Sequence, residues 1–158
     1  MQKLLRPVFC LLIEDNPLVG LDLADALDAG GYYVAGPFPC GREASEWLAR
    51  FTPDVAVVDL TLRDGRCLEV VRELKARDIP FIIYSGCPLQ QRPSDVPADV
   101  PWLEKPASYG VIARTLELLS ARIGDAARAP IKPQQTDHAD REQNEAGLGS
   151  TQELAHED

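Results

Sequence analysis

Five polar side chains punctuate the apolar parts of this 158-residue chain at places where they could act together. Glu14 and Asp15 follow the run Val8–Ile13, Asp59 lies near the end of Val55–Leu60, Ser85 follows Phe81–Tyr84, and Lys105 follows a weaker run around Trp102–Leu103. If each run is a strand of one parallel sheet, the carboxyl ends put three carboxylates, one hydroxyl and one ammonium on a single edge. Carboxylates gathered in a small volume repel one another, and a hard divalent cation relieves that repulsion. Oxygen-only ligands suit Mg2+, which keeps several waters and shares its site with a phosphoryl group. A lysine supplies the positive point charge that a transferring phosphoryl needs, and a serine hydroxyl can donate to its oxygen. Asp59 is the most central acid, after the most apolar run, and can act as a nucleophile that becomes an acyl phosphate. Each residue alone has an ordinary explanation, because acidic residues end strands and cap helices. Jointly they point to phosphoryl chemistry.

The elements that must hold these residues are legible as an alternation. Runs that are apolar at successive positions read as strands covered on both faces, here Val8–Ile13, Val55–Leu60 and Phe81–Tyr84, with weaker versions at Tyr32–Ala35 and Trp102–Leu103. Helical spacing separates them. Asn16-Pro17 opens a first helix with Val19, Leu23 and Leu27 on one face, and Gly30-Gly31 closes it. Further helices are expected at 41–50 (Ala44, Trp47, Leu48), 65–77 (Leu68, Val71, Leu74) and 108–123 (Val111, Ile112, Leu116, Leu119, Ile123). About five strand–helix alternations mark an open α/β domain.

Composition narrows the function. The net charge of −9 and pI near 4.7 repel phosphate backbones and argue against nucleic acid as a direct ligand. No apolar run approaches the roughly 20 residues that span a bilayer. The opening MQKLLRPVFCLLIED imitates a signal peptide briefly, then runs into Glu14 and Asp15 without a small-residue cleavage site. A soluble, cytoplasmic protein is expected. Cys10, Cys40, Cys67 and Cys87 form no CxxC pair, so free thiols are expected rather than a zinc or redox site, with Cys10 a small hydrophobe. Both histidines, His138 and His156, fall in the segment 124–158, which has no aromatic residue and eight acidic against three basic residues. Such a segment cannot bury enough apolar surface to offset its ordering entropy, so the expected organisation is a folded domain 1–123 and an acidic disordered tail 124–158.

Four motifs together, EDN at 14–16, DL at 59–60 after VAVV, SG at 85–86 and EKP at 104–106, resemble the receiver domain of two-component response regulators over residues 8–122. The stretch PLVGLDLADALDAGGYYVAGPF is similar to the first helix and second strand of stand-alone receivers of the alphaproteobacterial type. The resemblance implies a flavodoxin-like, doubly wound sheet of five parallel strands in the order 2-1-3-4-5. It makes Asp59 the phosphoacceptor, Asp15 a direct Mg2+ ligand, Glu14 a ligand through water, and Thr61 a ligand through its backbone carbonyl. Ser85 and Lys105 take the phosphoryl-binding and switch positions, Trp102 the switch aromatic, and the Lys105–Pro106 peptide is cis. Thr61 and Cys87 would flank the hydrolytic water and tune the lifetime of the acyl phosphate. The loop LTLRDG after Asp59 is shorter than the family's usual one. Between Ser85 and Trp102, prolines at 88, 93, 97 and 101 leave room for at most one turn, near Leu89–Arg92, in place of the family's fourth helix.

The implied function is receipt of a phosphoryl group in trans from a sensor histidine kinase or a histidine phosphotransfer protein. The output is then contact with a downstream protein of unknown identity, or service as a phosphate shuttle or sink, with a homodimer possible and the domain not counted an enzyme. A pseudo-receiver that binds partners without being phosphorylated is the alternative, and none of the acids or the lysine whose loss would favour it is missing. An aspartyl-nucleophile phosphatase needs a second aspartate where Thr61 stands, and no GxxxxGK[ST] loop is present.

Overall fold

The structure, a computed structural model, describes residues 6–126. Five parallel strands, β1 (Val8–Ile13), β2 (Tyr32–Phe38), β3 (Val55–Val58), β4 (Phe81–Ser85) and β5 (Trp102–Glu104), form one sheet in the order β2-β1-β3-β4-β5. Four helices accompany it: α1 (Pro17–Ala29), α2 (Gly41–Leu48), α3 (Cys67–Ala76) and α4 (Tyr109–Ala126). This is the doubly wound receiver arrangement expected from the motifs.

The unbroken apolar runs are explained by what covers them. Leu11, Ile13, Ala56, Val58, Phe81 and Ile83 pack with Ala44 and Leu48 of α2 and Val70, Val71 and Leu74 of α3. The alternate residues Cys10, Leu12, Val55, Val57, Ile82 and Tyr84 pack with Leu23 and Leu27 of α1 and Ile112 and Leu116 of α4. Because successive side chains of a strand point to opposite faces, both sets must be apolar, so no polar alternation survives. The Cys10 thiol is buried in this second cluster, and burial pushes its pKa up to about 12. It is an inert filler.

Local chemistry sets the ends. The Asn16 side chain accepts from the amides of Leu18 and Val19 at 3.1 and 3.3 Å, capping α1 with Pro17 at its first turn. β2 runs three residues past the expected Ala35, through a cis Gly36–Pro37 peptide, to Phe38. Gly-Pro reads as a turn, yet β2 is an edge strand, where a residue without an amide hydrogen is tolerated. α3 begins at Cys67 rather than at residue 65, because Gly65 takes a positive φ of 66° and turns the chain. α4 continues to Ala126, past the expected domain end at residue 123, and Val111, counted in its apolar stripe, is exposed. Residues 124–126 therefore belong to a helix, and the rest of the expected tail, with both histidines, lies outside the described residues.

Between β4 and β5 there is no helix beyond a 3-10 turn at Leu89–Gln91. The prolines remove the donors that a helix would need. Among the described residues no helix is long and apolar enough to cross a membrane.

Candidate functional site

The carboxyl ends of β1, β3, β4 and β5 meet on one edge of the sheet, and there the structure gathers the residues expected to do chemistry. Glu14 follows β1, its amide donating to the Phe38 carbonyl at 3.0 Å, so that β2 holds the start of the loop. Asp15 then lies between this anchored residue and the cap of α1. Asp59 follows β3, and its amide donates to the Ile13 carbonyl at 3.0 Å. The Lys105 amide donates to the Ser85 carbonyl at 2.9 Å, which ties the end of β5 to the end of β4. Glu14, Asp59 and Lys105 thus each sit one position beyond a hydrogen-bonded strand, and Ser85 is the last residue of β4.

The side chains close into a network. Glu14 and Asp59 are only 3% and 1% exposed. The Lys105 ammonium donates to Glu14 Oε2 at 2.5 Å and to Asp59 Oδ2 at 2.8 Å. Glu14 Oε1 accepts from the Asn16 amide at 3.0 Å. Asp59 Oδ1 accepts from the Thr61 amide at 2.9 Å and from its hydroxyl at 2.8 Å. The sequence reading gave Thr61 a carbonyl role; the observed contacts run through its two donors.

These contacts set the charges. Burial alone would push the Asp59 carboxyl up, but the bonds from Lys105 and Thr61 outweigh it and hold the group below the usual carboxylate range. For Glu14 burial wins over the bonds from Lys105 and Asn16, and its pKa is raised. Burial would lower the Lys105 pKa, yet its bonds to the two acids raise it, so it stays an ammonium. Asp59 is an ionised carboxylate with a fixed counter-ion.

One carboxylate oxygen from each of Glu14, Asp15 and Asp59 lies within 4.8 Å of the other two. An all-oxygen donor set of this kind, beside a lysine, fits Mg2+ and is unsuited to soft metals. Asp15 is the most accessible of the three for an ion arriving from solvent.

The remaining expected residues form a second group. Ser85 is buried, and its hydroxyl accepts from the Cys87 amide at 3.2 Å. The Cys87 carbonyl accepts from the Trp102 indole at 3.0 Å. Ser85, Cys87 and Trp102 are thereby linked in series along the rim, while Glu14, Asp15, Asp59, Thr61 and Lys105 form the acid centre. The Lys105–Pro106 peptide is cis, as expected.

Four residues to which the sequence assigns no role in the site shape it. Asp64 accepts from the amides of Gly41, Arg42 and Arg66 at 3.1, 3.0 and 3.2 Å, which fastens the loop after Asp59 onto the start of α2. Gly41 is required at that junction, since a Cβ there would lie 2.6 Å from Arg66 Cβ. Arg63, on the same loop, brings its guanidinium to 3.5 Å from Asp15. Arg92 stands against Trp102, 5.3 Å from the ring centre. The Asp64-Gly65 pair is a turn signal that could have been read; Arg63 and Arg92 carry no signal in a single sequence.

No family model matches the chain. The chain is 30% identical to the transcriptional regulatory protein PdtaR of Mycobacterium tuberculosis over 71% of its own length and 56% of the relative's. It thus spans little more than half of that protein. The receiver domain of the response regulator PhyR from Erythrobacter litoralis superposes with a TM-score of 0.65 at 25% identity, covering 72% of this chain and 89% of that one. A response regulator receiver protein from Sinorhizobium medicae superposes with a TM-score of 0.68 at 23% identity, over 73% of this chain and 96% of that one.

Proposed function

Because the described domain is a receiver of the response-regulator family, we propose that Asp59 receives a phosphoryl group from a phosphohistidine carried by another protein. The observation that carries this reading is a nearly buried carboxylate, held ionised by Lys105, with two more carboxylates within 4.8 Å of it. On this reading the donor imidazole belongs to a partner, a sensor histidine kinase or a histidine phosphotransfer protein, and the described residues contain no histidine. The Asp59 carboxylate attacks phosphorus in line with the leaving nitrogen. The P–N bond breaks, the imidazole takes the electron pair, and a P–O bond to Asp59 forms the acyl phosphate.

Each side chain has a part. The Lys105 ammonium, which neutralises Asp59 beforehand, loses part of that partner as the carboxylate is acylated and turns to the phosphoryl oxygens. Thr61 fixes the rotamer of Asp59 through its two donors to one oxygen. Glu14, Asp15 and Asp59 would hold Mg2+, which when bound supplies positive charge for the phosphoryl oxygens. Ser85 reports the new group to Cys87 and, through it, to Trp102. The signal then passes to a protein partner or onward as phosphate. On this reading the domain is a phosphoacceptor rather than an enzyme in its own right.

Treatment with acetyl phosphate and Mg2+, followed by intact-mass measurement, should add one increment of about 80 Da to the wild type and none to Asp59→Asn. Equal labelling of both would remove Asp59 from the role. No increment in either would favour a receiver that binds partners without phosphorylation.

A further inference from the structure

The acid centre is not evenly neutralised. Among the described residues, Glu14 and Asp59 accept hydrogen bonds on both carboxylate oxygens, and Asp15 accepts none. The cation facing Asp15 is Arg63, whose Nε lies 3.5 Å from Asp15 Oδ2. The backbone under Arg63 is held on both sides. Leu62 is buried in the core, Gly65 turns back with its amide on the Leu62 carbonyl at 3.0 Å, and Asp64 is fastened to the start of α2. The Arg63 side chain itself is 82% exposed, so it can leave Asp15 without disturbing the fold.

On the reading of this centre as a phosphoacceptor site, we propose that Arg63 is a tethered cation that competes with the divalent ion for Asp15 and so sets the cation concentration at which the site fills. The arithmetic of charge supports it. Three carboxylates face two internal cations, Lys105 and Arg63, which leaves a single net negative charge to attract a divalent ion. Removing Arg63 doubles that charge and frees the one carboxylate with no internal donor. A metal that takes Asp15 Oδ2 must displace the guanidinium, and one that takes Oδ1 still meets its positive charge across the same carboxylate, so the two cations oppose each other either way. The guanidinium, set free, stays on the rim within the same loop as the acceptor.

Mn2+ shares the preference for carboxylate and water oxygens, and its free form is counted directly by electron paramagnetic resonance, with no phosphodonor present. In the full chain, Arg63→Gln should bind Mn2+ about three- to tenfold more tightly than wild type at low ionic strength. The difference should shrink as salt is raised, because the pair is exposed. Arg63→Lys should fall between the two. Arg50→Gln, which removes an exposed charge at the opposite end of α2, should leave the affinity unchanged. Unchanged or weaker binding in Arg63→Gln overturns the proposal, as does an equal gain in Arg50→Gln, which would mark a whole-molecule charge effect. If Asp15→Asn abolishes binding while Arg63→Gln changes nothing, the acid centre stands and Arg63 alone is dismissed. If neither wild type nor Arg63→Gln binds Mn2+, the metal-centre reading falls as well.

Discussion

Lys105 neutralises two carboxylates that are almost wholly buried, while remaining partly exposed itself. Removing one partner of such a group leaves uncompensated charge, which costs more than the intact pair contributes. Lys105→Met should therefore lose about 2 kcal/mol at neutral pH, below the 3–5 of a fully buried pair because solvent reaches the ammonium. The sign of the pH dependence follows from the shifts. In the wild type, the lowered Asp59 pKa contributes stability above its unfolded value, lost as pH falls through the folded one. The raised Lys105 pKa contributes below its unfolded value and is lost only at strongly alkaline pH. Glu14, with its pKa raised, works the other way and favours the fold on the acid side of its folded pKa. Without Lys105 both acids are driven toward protonation, so the deficit of the variant should be largest near pH ~7 and shrink toward pH ~5. Urea midpoints at both values test this; a deficit that grows on acidification would contradict the assigned pairing. The acids and the lysine were legible because each breaks an apolar run. Arg63 was not, since an arginine in a polar loop looks like any solvated charge until Asp15 is found beside it.

The segment between β4 and β5 shows how an element can be replaced. Its prolines forbid a helix, and the backbone is staked by side chains instead. Arg92 donates to the carbonyls of Pro97 and Val100 at 2.7 and 2.8 Å, while its guanidinium faces the Trp102 ring. Val96 is buried in the core, Arg72 pairs with Asp95 at 2.6 Å, and the Leu89 amide donates to Glu104 at 3.0 Å. The sequence reading found the missing helix from proline spacing, and its single turn near Leu89 is present. The stakes escaped it, because carbonyl acceptors are not encoded in residue type. If the acyl phosphate is signalled through this segment, beryllofluoride should change amide exchange across residues 86–101 in the wild type. In Arg92→Ala, exchange at Val96 and Val100 should rise about tenfold or more even without the adduct, since charged donors contribute about 1.5–3 kcal/mol each. Arg92→Lys keeps the charge but cannot fork to two carbonyls, and should restore protection only in part. Identical exchange in Arg92→Ala and wild type would deny Arg92 the stapling role.

At the scale of the whole domain, the sheet separates two apolar cores that share strands but no side chains. Ile83 belongs to the face covered by α2 and α3, and Ile112 to the face covered by α1 and α4. Ile83→Val and Ile112→Val should each cost about 0.5–1.5 kcal/mol. Because no packing contact is shared, their effects should add within about 0.5 kcal/mol in the double variant. A larger coupling in denaturant unfolding would mean that the sheet transmits strain between the layers. This two-sided burial made the central strands conspicuous in the sequence as unbroken apolar runs. The edge strands β2 and β5 were weaker for the converse reason, with residues left partly exposed at the margins.

The order of the strands also fixes a timetable for the growing chain. Asp59 precedes the lysine that neutralises it by 46 residues, and Glu14 precedes it by 91. A nascent chain that has made β1, β3 and β4 therefore holds Glu14 and Asp59 without their counter-ion, and an open edge along β4, a template for any stray strand. Mutual repulsion of those acids would oppose close packing at the carboxyl ends until β5 supplies Lys105. β5 is three residues long, so it is a brief and late event that both shuts the edge and delivers the ammonium. Lesions in Trp102–Glu104 should therefore be felt first as aggregation during synthesis, measured as a loss of soluble protein.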